Sequence, residues 1–177
     1  MSYLLPQTLY KNIDFMRLFS ILLISLSILA ACQSPKEKAL KNIKELEGND
    51  SAFSNELMMQ LKTAYVDFAM AYPDDEKTPE FMFKAAQRSI VLQQDNEAVD
   101  LLLQLTTKYP KSTFVEDATF LMAYTYENNL HDLVRAKTLY EEFLQKFPNG
   151  ELAQDARLSL ENLGKTPEEM IGALPEE

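Results

Sequence analysis

The chain has 177 residues, with 27 acidic against 17 basic side chains for a net charge of −10, and it carries one cysteine and one histidine. That acidic excess excludes a nucleic-acid binder, which needs clustered lysine and arginine to displace counterions, and a polybasic contact with anionic lipid heads. A single thiol offers no intrachain disulfide, so the fold must be held by its core alone.

At the amino end, Arg17 precedes an apolar run from Leu18 to Ala31, and the run ends at Cys32. It is too short for a membrane span, which needs roughly 20 apolar residues. A basic flank, a short apolar stretch and small residues before a cut are the parts of a secretory signal peptide. Leu29-Ala30-Ala31-Cys32 resembles the lipobox of bacterial lipoproteins, with cleavage between Ala31 and Cys32. The resemblance implies that Cys32 becomes the new amino terminus and carries a covalent diacylglyceryl lipid; no cofactor is expected beyond it. Residues 1–15 fit no part of this device, and Met16 is the expected true start. Residues 1–31 are therefore read as the signal peptide. Losing Lys11, Asp14 and Arg17 with it leaves 15 basic against 26 acidic side chains.

Residues 32–52 read as a lipidated tether, Gln33 to Pro35, and a short polar helix over Lys36 to Glu47, with Gly48 suited to end it. From there a repeat runs through 53–164. Tyr72-Pro73, Tyr109-Pro110 and Phe147-Pro148 recur at nearly equal intervals along the chain. Ala98 and Ala136 each lie twelve before their proline, and Leu105 and Phe143 match, as do Leu101 and Leu139. The segment before Pro73 joins them through Leu61, Ala64, Tyr65 and Phe68. Counting forward, Ala86 and Ala123 lie thirteen after a proline, and Ala118 and Ala156 lie eight after. A fixed period of this size means stacked supersecondary units.

Each unit reads as two helices. Apolar residues recur at three and four over 57–71, 80–93, 96–108, 115–128 and 132–146, with no β-branched alternation. Residues 151–163 form a further first-type helix without a partner, which caps the stack. Proline withholds an N–H and restricts the residue before it, so each aromatic–proline pair ends a second helix. Thr78-Pro79 opens one helix, and Thr166-Pro167-Glu168-Glu169 is a capping box opening the terminal cap and tail, 165–177. The alanines let helix axes approach at the crossings. The expected fold is all-α, about three helix hairpins and a capping helix.

With Ala86, Ala98, Leu102, Leu105 and Pro110 in one unit and Ala123, Tyr126, Ala136, Tyr140 and Pro148 in the next, the pattern resembles the tetratricopeptide repeat. The second of these units has one extra residue between its helices. Units slightly longer than is usual for that repeat, a missing first-helix tryptophan and the corner Tyr109 to Ser112 make it similar to the BamD-like lipoproteins of the outer-membrane β-barrel assembly machinery. The resemblance implies a short α-α superhelix whose concave face is lined by first helices. By register Phe83, Gln87, Phe120, Tyr124 and Glu127 face it. Relatives that clamp a peptide carboxylate carry lysine, asparagine and arginine there, so that activity is not expected here.

Catalytic residues are not expected. His131 sits in a polar turn without a second histidine or a free thiol beside it, and no metal-binding set is apparent. Asp74-Asp75-Glu76 lacks the alternating oxygens and glycine of a calcium loop and reads as solvated charge at a helix entry. The eight methionines, Met58, Met59 and Met70 among them, read as core filler. The expected function is a lipid-anchored, periplasm-facing scaffold whose concave face binds other envelope proteins, outer-membrane protein assembly being one field of action, with no nucleic acid and no small-molecule substrate. Gln33 after the lipidated cysteine, where aspartate would mark inner-membrane retention, favours the outer membrane; exposure on the cell surface stays open. The alternatives are a ligand- or peptide-capturing lipoprotein and, behind it, a small hydrolase on a helical scaffold.

Overall fold

The structure is a computed structural model that describes residues 33–48, 54–166 and 169. Ala31, Cys32 and the signal peptide lie outside the described residues. The chain divides into two units, Met1–Lys38 and Ala39–Glu177. Within the described part of the first, Ser34 and Glu37 form a reciprocal capping box: the Glu37 N–H donates to Ser34 Oγ at 3.2 Å, and the Ser34 N–H donates to Glu37 Oε2 at 2.7 Å. With Pro35 in the first helical position, this begins helix α1, Pro35–Glu47.

Six more helices follow: α2 (Asn55–Ala71), α3 (Thr78–Val91), α4 (Asp95–Lys108), α5 (Val115–Asn128), α6 (Leu133–Lys146) and α7 (Ala153–Asn162). No strand occurs among the described residues. From α2 onward each helix packs on the next, as short connections require. The expected periodic segments over 57–71, 80–93, 96–108, 115–128 and 132–146 each hold one helix, so the all-α repeat stands. The extra residue in the later unit is also there, since three residues separate α3 from α4 and four separate α5 from α6.

The repeat positions are the core. Twelve, eight and five residues before each proline stand Leu61, Tyr65 and Phe68, then Ala98, Leu102 and Leu105, then Ala136, Tyr140 and Phe143, and all nine are buried. Ala86, Ala123, Ala118 and Ala156 are buried completely. Ile43 of the mainly polar α1 is buried against Met58, Leu61 and Tyr65, so α1 serves as the first helix of the opening unit. The methionines divide. Met58, Met82 and Met122 are core, whereas Met59 and Met70 are exposed, Met70 by 77 %. The reading of Met59 and Met70 as filler is therefore corrected: helical periodicity places them, but on the outer side of α2.

The three aromatic–proline corners share one turn. The N–H of Asp75, Ser112 and Gly150 donates to the carbonyl of Tyr72, Tyr109 and Phe147 respectively, at 2.9–3.2 Å. In the first two corners the same residue's side chain then accepts from a backbone N–H two positions on, Asp75 from Lys77 and Ser112 from Phe114. Asp75 is thus a half-buried turn residue, which corrects its reading as solvated charge. Gly150 has no side chain to offer, and Glu116 of α5 takes over. A β-carbon on Gly150 would overlap the Glu116 carboxylate, whose Oε1 accepts from the Leu152 N–H at 3.5 Å.

Between first and second helices the chain turns through left-handed residues, Gln93 (φ 59°) and His131 (φ 54°), in matching places of successive units. His131 is exposed in its turn, as expected. Gly164 ends the last helix at φ 76°, while Gly48 shows no such angle and closes α1 by donating its N–H to Lys44. At the far end Thr166 and Glu169 make the expected reciprocal capping bonds.

Candidate protein-interaction site

The five residues expected on the first-helix face fall into three environments. Phe83 of α3 is half-buried, its ring 5.7 Å from that of Phe114 at the entry to α5. Phe120 of α5 is half-buried between the rings of Tyr140 and Phe143 of α6, at 5.7 and 5.8 Å. Both therefore wedge neighbouring helices, and aromatic pairs of this kind contribute about 0.5–1.5 kcal/mol beyond their area. Gln87 is half-buried, one turn after Phe83. Tyr124 is exposed by 45 %. Glu127, in the last turn of α5, accepts the Tyr140 hydroxyl at 2.8 Å.

That last bond belongs to a pattern the spacing did not reveal. Tyr65 and Tyr140, each eight before a proline and each fully buried, both donate to a glutamate in the last turn of the preceding first helix. In the opening unit the acceptor is Glu47, at 2.8 Å. Lys84 of α3 joins it, with Nζ 2.8 Å from Glu47 Oε1 and 2.8 Å from Glu80, while its ammonium lies 5.8 Å and 5.9 Å from the Tyr65 and Phe81 ring centres. Burial pushes the Glu47 carboxyl up, but hydrogen bonds from Lys84 and Tyr65 outweigh it and hold it below the usual range. Burial alone would also depress Lys84, yet its two carboxylate partners raise it. Both phenols are raised, first by burial; their glutamate partners raise them further.

In the last unit the place of Lys84, eleven after the proline, is held by Ser159 of α7, whose side chain offsets part of the upward push on the Tyr140 phenol. The middle unit has no such pair; Leu102 and Leu121 pack there in an apolar core. The glutamates were hidden from the repeat count because Glu47 stands further ahead of Tyr65 in the chain than Glu127 does of Tyr140. Only the prolines, and not the connections between helices, keep the period.

A second anchoring contact crosses the outer side. Lys62 of α2 is 8 % exposed, and its Nζ reaches Gln94 Oε1 at 2.8 Å and Glu97 Oε2 at 2.7 Å, which ties α2 to the start of α4. Beside this lies a cleft of about 500 Å³ lined by Val66, Met70, Met82, Leu101 and Lys108 among others. No set of histidine, cysteine and carboxylate side chains suited to a metal occurs among the described residues, and none of their helices is long and apolar enough to cross a membrane.

A family model described as YfiO, outer membrane lipoprotein, matches residues 75–163, half of the chain. The chain belongs to the YfiO family of outer membrane lipoproteins. Among curated proteins, none matches it. The YfiO match runs from the first corner to the end of α7, so it takes in Tyr124, Glu127, Tyr140 and Ser159. It leaves out α1 and α2, and with them Glu47 and Tyr65. Membership agrees with the expected outer-membrane location and with the expected lipoprotein class.

Proposed function

We propose that this YfiO-family protein is a lipid-anchored scaffold facing the periplasm, that it binds other envelope proteins along its first-helix side, and that it performs no bond chemistry. Family membership over a chain of stacked helix pairs is the observation that carries this reading. A helical stack offers an extended side on which a partner segment can lie. Tyr124, exposed one turn after the half-buried Phe120, gives that side an aromatic anchor of the kind enriched at interface hot spots. Phe83 and Phe120 support the surface from beneath. The lipid on Cys32 sets location, and the helices set recognition.

The test is a pull-down of the full chain from membranes in mild detergent, with partners identified by mass spectrometry. Tyr124→Ser should remove a specific partner without altering helicity, since the residue is exposed and no part of the buried core. Phe83→Ser should lose the same partner together with some thermal stability. Retention of every partner by both variants would overturn the reading of this face.

A further inference from the structure

We infer that Glu127 and Tyr140, with Tyr124 beside them, form a receptor for one lysine or arginine side chain of a partner protein. The inference rests on the scaffold reading and names the chemistry by which that face would select its partner.

The two ends of the stack carry the same glutamate–tyrosine pair, one with an internal cation and one without. At Glu47 the carboxylate has a cation supplied from within the chain, Lys84, whose stem lies along aromatic rings. At Glu127 the equivalent position is Ser159, and among the described residues no ion pair reaches the carboxylate. The nearby arginines are engaged elsewhere. Arg135 is 3.3 Å from Asp132 and stacks over Tyr126, and Arg157 Nη2 donates to the Pro148 carbonyl at 2.6 Å. A half-buried carboxylate that accepts from a neutral phenol keeps further lone pairs for a charged donor, and a cation makes the stronger, charge-assisted bond. Serine in place of lysine leaves this junction without the long cationic side chain that Lys84 supplies at the other end. Tyr124 stands three residues before Glu127 on α5, hence on the same helix face, and is exposed, so its ring can lie along an incoming stem as Tyr65 does along Lys84. The net charge of −10 favours the approach of a basic segment over any other. A metal ion is the poorer fit, because one carboxylate, a phenol and a serine do not make a ligand set.

The test uses the full chain in detergent and a fluorescent amphipathic peptide with leucines on one face and lysines on the other, compared with the same peptide acetylated on every lysine. Glu127→Gln should weaken binding of the lysine peptide about tenfold and leave the acetylated peptide unchanged. Ser159→Lys keeps Glu127 and Tyr140, supplies the internal cation that Lys84 supplies at the other end, and should weaken the peptide to the same extent while raising the melting temperature. Glu141→Gln, at an exposed site on α6, should alter binding by less than about twofold. Equal binding by wild type, Glu127→Gln and Ser159→Lys overturns the inference. So does a loss with Glu141→Gln as large as that with Glu127→Gln, which would mean that overall charge alone attracts the peptide. Failure here is distinguishable from failure of the scaffold reading: in the membrane pull-down, recovery of identical partners by wild type and Glu127→Gln sinks only the receptor, whereas recovery of none by wild type sinks the scaffold.

Discussion

The two buried phenols test whether position in the repeat or local charge governs stability. Tyr140→Phe leaves Glu127 without its phenol donor, at a cost of about 1 kcal/mol, since the charge then keeps less compensation. Tyr65→Phe should cost less, because Glu47 still holds Lys84. Denaturant melts of the two variants decide it. Asp117, in the first turn of α5, behaves in the opposite sense from Glu47. Burial, then the negative charges of Glu116 and Glu151, push its carboxyl above the usual aspartate range. A carboxyl raised in the folded state binds its proton more tightly there than in the unfolded chain, so its charge destabilises the fold at neutral pH. That cost fades as pH falls through the raised value and is gone below the ordinary one. Asp117→Asn should therefore stabilise the fold at neutral pH, by less than about 1 kcal/mol for a largely exposed group, and the gain, read from melts, should vanish in acid. The contribution of Glu47, held low, should instead be present at neutral pH and disappear on acidification.

At the scale of the helix, the alanines set how closely neighbours meet. Ala98 and Ala136 are completely buried twelve residues before their prolines, where the opening unit has Leu61. Leucine is accepted there in a unit that packs α1 and α2, yet in the later units the space is closed by Met82, Val99 and Leu102, or by Ala123 and Tyr140. Ala136→Leu should destabilise by about 1–3 kcal/mol through overpacking, whereas Leu139→Ala, at a half-buried position, should cost less than deletion of a fully buried leucine. A thermal melt of Ala136→Leu equal to that of wild type would contradict the assigned contacts. Corner three shows the same interdependence between elements. Glu116 on α5 completes the turn that Gly150 leaves open, so that turn is held from another helix.

For the whole molecule, the reading divides recognition from location. Removal of the thiol, Cys32→Ala, should block lipidation and leave an uncleaved precursor, seen as a heavier, lipid-free species by mass spectrometry. A mature protein that starts anywhere other than residue 32 would refute the lipid anchor. Membrane attachment through acyl chains follows from about 0.8 kcal/mol per buried methylene, with at least two chains needed for a stable hold.

Much of this was legible in the sequence, for a physical reason. Proline ends a helix wherever the period brings one, and alanine, leucine or an aromatic at fixed distances before it must face the same neighbours. The all-α repeat, the buried alanines, the added residue between α5 and α6 and the terminal capping box follow from such local rules. So does the resemblance to outer-membrane lipoproteins. The site was legible only in part. Register placed Phe83, Gln87, Phe120, Tyr124 and Glu127 along the first helices, but it could not say that Phe83 and Phe120 are wedged against adjoining rings while Tyr124 stands in solvent, because that depends on how far the next helix leans in. Nor could spacing pair Glu47 with Tyr65 or Glu127 with Tyr140, since the connections between them differ in length. Which carboxylate acquires an internal lysine, and which accepts only a phenol, is settled only where three helices meet.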